Sequence, residues 1–463
     1  MFPADSTTGK RGLSPTLTDR FVDCILSVHY DRLPPEVIEI SRQVVLDGLA
    51  VTLAGATEPL GIGRIATEYV REQGGTPEAT VIAGGFKTSA ANAAFANGCM
   101  AHALDFDNTW YPLNHPTSPT LPAILALAER NRIGGRKVIE ALVAAFEAQG
   151  RLRMAATAMT TGAHFHKPGI TGTIGATAAA IKLLGLDHRQ ALMAMGIAGS
   201  RAGSLSINTG SMTKSSHSGH AARMGVECGL LAQKGWTASA DVFGPKGFFD
   251  TFWNGDAEPE KLVEGFGAPY RMIKPGVGFK KHPANYFTNR PIDAALALRL
   301  EHDIQAQQVE RVTIDFPEFR YVDRPNPETG LDGKFSIQYA TLVALLDGEV
   351  TVDSFTNERR FAADVKELLP RVELKIDPSI PGDFDETWAV VTVALKGGRS
   401  VRKKVDTLSG WCGHPLSREE RLKKFHSCVR RKLPTAAADE LLALVERIET
   451  LGDVDRIMAI ARC

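Results

Sequence analysis

Over roughly the first 265 residues, apolar positions recur at helical spacing, and strand-like alternation is scarce. From about residue 18 onward, Ala, Leu, Ile, Val and Gly form long stretches interrupted by turn residues, which predicts a mostly helical region. Pro34-Pro35 ahead of Glu36–Leu53 marks a helix start, Gly134-Gly135 precede the amphipathic run Lys137–Ala148, and Gly175–Leu184 is rich in alanine. Val44–Leu53 is apolar on several faces, so its helix belongs inside a multilayer bundle.

After about residue 270 the pattern changes. Val309–Phe316, Val372–Ile376 and Trp388–Leu395 carry β-branched residues in alternation with polar ones, and Gly397-Gly398 separates the last from Ser400–Val405 as in a hairpin. Ser417–Cys428 and Ala436–Ile448 return to helical patterning. The chain thus reads as a disordered tail (1–17), a large helical domain (18–268), a smaller α/β lid domain (269–405) and C-terminal helices (406–463) that rejoin the helical domain. The expected fold class is mostly α with an α+β part.

Composition narrows the function classes. With 463 residues and 44% hydrophobic, the chain can fill large cores. Lys plus Arg equal Asp plus Glu at 53 each, so no net field favours nucleic acid or an anionic membrane. The first fifteen residues hold no apolar core of signal-peptide length, and no later stretch offers about eighteen unbroken apolar residues; the expected location is cytoplasmic. The cysteines at 24, 99, 228, 412, 428 and 463 form no Cys-x-x-Cys pair and read as reduced thiols.

Candidate chemistry concentrates where polar groups interrupt apolar or glycine-rich sequence. Ala101–Pro116 carries Asp105 and Thr109, four apart and so on one face if helical, and His115, which Pro116 holds in an extended turn. Singly these residues also suit a cap, a back-bonded hydroxyl and a turn. In His164–Gly175, Pro168 suits a first helical turn, so His166 would stand beside free amides that favour an anion; the glycines equally suit tight helix packing. Lys214, His217 and His220, three apart, would line a helix face as a polyanion site or as a solvated cationic face. Lys280 lies in Phe279–Pro283 at the join between the two textures, and Tyr321 follows a predicted strand, where it can donate to substrate or simply pack. No His-Glu-x-x-His, phosphate loop, dinucleotide fingerprint or Gly-x-Ser-x-Gly elbow occurs, so the expected site holds no metal and no cofactor and does not use covalent acyl transfer.

Together these clusters resemble the MmgE/PrpD family. The resemblance covers nearly the whole chain and rests on Leu46-Asp-Gly-Leu-Ala-Val-Thr-Leu-Ala-Gly55, Ala91-Asn-Ala-Ala-Phe-Ala-Asn-Gly98, Leu104-Asp-Phe-Asp-Asn-Thr109, His115-Pro116 and Gly172-Thr-Ile-Gly175. It implies a large helical domain with an α/β lid, a homodimer without cofactor or metal, and a lyase, decarboxylase or dehydratase, acting on a small di- or tricarboxylic acid. Carried over from the family's decarboxylase branch, Asp105, His115, His166, Lys214, Lys280 and Tyr321 are implied catalytic residues. Thr109, with Lys214, Lys280 and His217, is expected to bind substrate. The chain lacks the Trp-Gly-His-Pro run of the 2-methylcitrate dehydratase branch, and Asn285 and Asn289 stand where the family usually has histidine. Two alternatives remain open: an epimerase of an amino-dicarboxylate such as iminodisuccinate, and a non-catalytic carboxylate-binding protein. Which of His115 and His166 is acid and which is base stays open too.

Overall fold

The computed structural model describes residues 14–158 and 161–463. Its first helix, Leu17–Ser27, starts where the sequence supplies a capping box: Thr16 Oγ1 accepts from the Asp19 N–H at 3.1 Å and the Asp19 carboxylate accepts from the Thr16 N–H at 2.9 Å. The tail expected over 1–17 lies outside the described residues as far as 13, and its end is this helix start instead.

Helices Pro35–Gly55, Ala90–Ala103, Thr117–Arg130, Gly135–Met154, Lys167–Leu184 and Thr213–Gln233 pack into one bundle. The predicted starts hold: Pro34 caps the first of them, and Val44–Leu53 is buried almost throughout. Small residues set how closely the helices cross. A Cβ added at Gly98 would lie 2.7 Å from Gly219 Cα, and one added at Gly219 would lie 2.5 Å from the Phe95 carbonyl oxygen. Glycine at both positions therefore lets Ala90–Ala103 and Thr213–Gln233 nearly touch backbones, which carries Lys214 to the end of the former helix.

A four-stranded sheet builds the second part. After a short antiparallel pair, β1 (Ala79–Thr80) and β2 (Lys87–Thr88), come β3 (Val309–Phe316), β4 (Val372–Ile376), β5 (Ala389–Leu395) and β6 (Ser400–Val405), in the order β4-β3-β5-β6. β3 and β4 are parallel and the other neighbours antiparallel. Gly397 (φ 96°) and Gly398 (φ 85°) make the β5–β6 turn, both in the left-handed region that such a tight hairpin demands. Helices Tyr286–His302 and Ile337–Asp347 cover the sheet.

Two hydrophobic cores result. One draws on Phe21 through Phe279, on Leu331 and Val352, and again on Leu416 through Ala461, so the C-terminal helices pack with the bundle; the other draws on residues from Ala284 to Trp411. The crossings lie slightly beyond the breaks in sequence texture: Met272, Val277 and Phe279 still pack in the first core, and Leu408 and Trp411 in the second. The fold is mostly helical with an α/β part. Among the described residues no helix is long and apolar enough to cross a membrane.

Candidate active site

The helix Ala90–Ala103 ends at Asp105, whose φ of 50° is left-handed and stops the helix. Asp105 and Thr109 therefore do not share a helix face; they meet across a loop. Carbonyls of that loop accept from lysines belonging to distant segments: Lys334 Nζ to Ala103 O at 3.1 Å, Lys280 Nζ to Asp105 O at 2.6 Å and Lys424 Nζ to Phe106 O at 2.9 Å. Lys424 also pairs with Asp47 at 2.7 Å. The unusual backbone at Asp105 is thus held by contacts from both cores.

The Asp105 carboxylate is buried between two ammonium groups, Lys214 on one oxygen and Lys280 at 2.8 Å on the other. Burial would raise its pKa, but Lys214 and Lys280, then His115 and His102, hold it well below the usual carboxylate range. For Lys214 the cost of burial is outweighed by Asp105 and Tyr321, and its pKa rises; for Lys280 burial prevails over Asp105, and its pKa falls.

A cavity of about 280 Å³ opens beside this triad, at the seam of the two cores. Asp105, Thr109, His115, His166, Lys214, Lys280 and Tyr321, seven residues singled out from sequence, all line it. Thr109 pairs its backbone with Gly278 (N to O 2.9 Å, O from N 2.7 Å), fixing the loop to the segment that delivers Lys280, and its hydroxyl donates to Asn114 O at 2.6 Å. His115 enters from the irregular turn before Pro116, with Nε2 3.8 Å from Asp105 Oδ1. His166 caps the helix Lys167–Leu184, and its carbonyl and N–H are both bonded to Ser204. Burial, then Lys214, drives the His166 pKa well below the ordinary imidazole value, so the ring is neutral. Tyr321 follows β3 and packs against Phe335; burial raises its phenol pKa, with Lys214 opposing.

Three expectations need correction. His217 does not line the cavity: it stands behind His166, Nδ1 to Nδ1 3.1 Å, on the side where Thr213–Gln233 packs against that ring. His220 points elsewhere, to Arg201 O at 3.1 Å. The helix N-terminus at His166 offers no array of free amides, since Pro168 has no N–H and the Gly169 N–H already bonds to His166 O at 3.0 Å. Gly169 serves close packing, as a Cβ there would meet Ser204 Oγ at 2.0 Å.

Other lining residues escaped the sequence reading. Leu113, Phe287 and Phe319 form an apolar wall, the two phenylalanines stacked at 3.9 Å. Asn285 lines the cavity while capping Tyr286–His302, whereas Asn289 lies behind it, bonded to Asn285 O at 2.9 Å. Lys167 also lines it, with its ammonium 2.6 Å from Thr161 O; burial, then Arg153, lowers its pKa to about 7. Behind His115 sit His102 and Asp107, both buried, with His102 Nδ1 3.0 Å from Asp107 Oδ1 and His115 Nδ1 3.1 Å from Asp107 Oδ2. The adjacent carboxylate in Asp-Phe-Asp was the available signal for Asp107; His102 sits in an alanine-rich helix and gave none.

His102, Asp107 and His115 bring ligand atoms within 4.8 Å of one another, a set able to grip a cation. The Lys214 and Lys280 ammonium groups beside Asp105 oppose a further positive charge there.

Residues 19–260 match the MmgE/PrpD N-terminal domain and residues 282–450 the MmgE/PrpD C-terminal domain. The chain belongs to the MmgE/PrpD family. It is 31% identical to cis-aconitate decarboxylase of Mus musculus, over 95% of this chain and 92% of that one, and 31% identical to its Homo sapiens counterpart, over 95% and 93%. It is 26% identical to 2-methylcitrate dehydratase of Escherichia coli, over 87% and 90%. As an MmgE/PrpD member with such relatives it is an enzyme of the lyase class. In MmgE/PrpD terms the cavity combines three lysine amines, two imidazoles and a phenol with one apolar wall. That set can hold carboxylates at one end and move a proton at the other.

Proposed function

We propose that this MmgE/PrpD enzyme decarboxylates a small tricarboxylic acid of the cis-aconitate type, with no cofactor. The observation that carries the reading is the convergence of Asp105, His115, His166, Lys214, Lys280 and Tyr321 on one cavity at the seam of the two cores. The decarboxylases among the relatives match over most of the chain and support the same choice.

A substrate carboxylate placed against Lys214 and Lys280 competes with Asp105 for their charge. Heterolysis of the neighbouring C–C bond releases CO2 and leaves its electron pair on carbon, delocalised over the double bond into a remaining carboxylate. The lysines stabilise that developing charge, and an imidazole that the bound carboxylates help to protonate, His115 or His166, then supplies one proton to carbon. The Tyr321 hydroxyl donates to a carboxylate oxygen, and the wall of Leu113, Phe287 and Phe319 excludes water from the carbanion.

Proton NMR in deuterated water, with cis-aconitate, 2-methylcitrate, citrate and iminodisuccinate offered separately, tests this. The expected result is loss of CO2 from cis-aconitate with one solvent deuterium on the product. Dehydration of 2-methylcitrate or epimerisation of iminodisuccinate, with cis-aconitate untouched, would replace the reading.

A further inference from the structure

We propose that Asp107 is a positioning residue: it accepts the Nδ1–H of His115 and so turns the lone pair of Nε2 toward the cavity, while His102 anchors the other oxygen of the same carboxylate. The proposal rests on His115 acting as acid/base, the role given to it above.

A carboxylate offers acceptors only, so each ring nitrogen facing it carries a proton. Asp107 faces Nδ1 of His102 at 3.0 Å and Nδ1 of His115 at 3.1 Å, which makes both rings Nδ1–H tautomers when neutral. Asp107 is 1% exposed, and the two imidazoles keep its pKa far below the usual range against the effect of burial. His102 is itself neutral, its pKa lowered to about 4 by burial, so it serves as a neutral donor. Its Nε2 is buried without a partner, as an acceptor lone pair facing no donor would be.

Held in this tautomer, His115 has its free nitrogen on the side of Asp105, 3.8 Å from Oδ1, where the cavity lies. The groups around the ring are His102, packed edge-on at 4.7 Å, and, beyond Asp105, Lys214 and Lys280; His166 stands on the far side of His102 at 5.4 Å. None of these competes for Nδ1. The His115–Asp107 contact is short but not aligned as a hydrogen bond, and a small turn of the ring on substrate binding aligns it. When His115 takes a proton at Nε2, the imidazolium lies between the Asp105 and Asp107 carboxylates, so the charge forms where two anions already stand.

The first test needs no substrate. Long-range proton–nitrogen NMR of the full-length protein at pH 8, with His115 assigned by its loss in His115→Ala, should place the proton of His115 on Nδ1; a proton on Nε2 overturns the proposal whatever the reaction is. The second uses Asp107→Asn, whose amide can donate to Nδ1 and so selects the opposite tautomer. Turnover should fall on the order of a hundred- to ten-thousand-fold with KM within about threefold, and the His115 proton should move to Nε2. Turnover within threefold of wild type overturns the proposal, as does a variant whose KM rises while kcat holds. If Asp107→Asn does not fold, the wild-type tautomer decides alone. A wild-type protein with the Nδ1 tautomer but no decarboxylase activity would reject the proposed reaction and leave the role of Asp107 standing.

Discussion

Removing Lys280 should reveal how the Asp105 triad balances its charges. Unit charges 2.8 Å apart attract by about 6 kcal/mol at an effective dielectric of about 20, most of which is offset by the cost of burying them. Lys280→Met leaves Asp105 with Lys214 alone and takes the donor from its carbonyl, so the loss should fall near the low end for a broken buried pair, about 3 kcal/mol. Asp105→Asn strands two buried ammonium groups and should cost about 3–5 kcal/mol. The double variant strands only one, so its cost should be below the sum of the singles by about 2 kcal/mol or more. Urea unfolding near pH 7, followed by tryptophan fluorescence and far-UV circular dichroism with coincident transitions, measures all corners of the cycle. Additivity within about 0.5 kcal/mol would refute the coupling. With substrate, Lys280→Met should raise KM and lower kcat together, because the lysine both holds a carboxylate and meets the charge that develops on the way to the carbanion.

His115→Ala and His166→Ala should each lower turnover by about a hundredfold or more, with stability changed far less than in the triad variants; wild-type turnover in either removes that histidine from the mechanism. His102, with a folded pKa of about 4 against an unfolded value of about 6.5, contributes stability that is complete above pH 6.5 and lost as pH falls toward 4, about 3 kcal/mol in all. Urea midpoints at pH 7, 5.5 and 4.5 should therefore fall more steeply for wild type than for His102→Gln, and parallel declines would contradict the assignment. Turnover should survive exhaustive chelation; loss reversed by one divalent ion would instead make His102, Asp107 and His115 a metal site. A carboxylate ligand should slow hydrogen exchange around both Phe165–Lys167 and Tyr321, which face the cavity from different cores; protection of the helical side alone would show that the α/β part does not complete the site.

Much of this architecture was legible in the sequence because the signals were local. Strand alternation located β3 and β4 to the residue, paired glycines gave the β5–β6 turn, and Pro34-Pro35 gave a helix start. Seven cavity residues stood out because charged or polar side chains in apolar sequence need partners. What stayed hidden depended on tertiary geometry. Phe287 and Phe319 stack across a gap of thirty-two positions, and each alone reads as ordinary core. Helical spacing put His217 with Lys214, but only the packing of Thr213–Gln233 against His166 decides which of them faces the cavity. Asp105 looked helical because nothing local reports a left-handed backbone; the lysines that hold it come from more than a hundred residues away.

The three carbonyls at the end of the helix Ala90–Ala103 and just beyond it have a bearing on the order in which the protein matures. Their donors, Lys280, Lys334 and Lys424, leave the ribosome after the helices from Leu17 to Gln233 have been made. A nascent chain can bury its first helices early, yet the turn that aims Asp105 is not fully fastened until Lys424 has been made. Catalytic competence thus waits on Lys424, and a chain that stalls or is cut short before it is left with the earlier helices of its bundle and a slack, idle active-site loop.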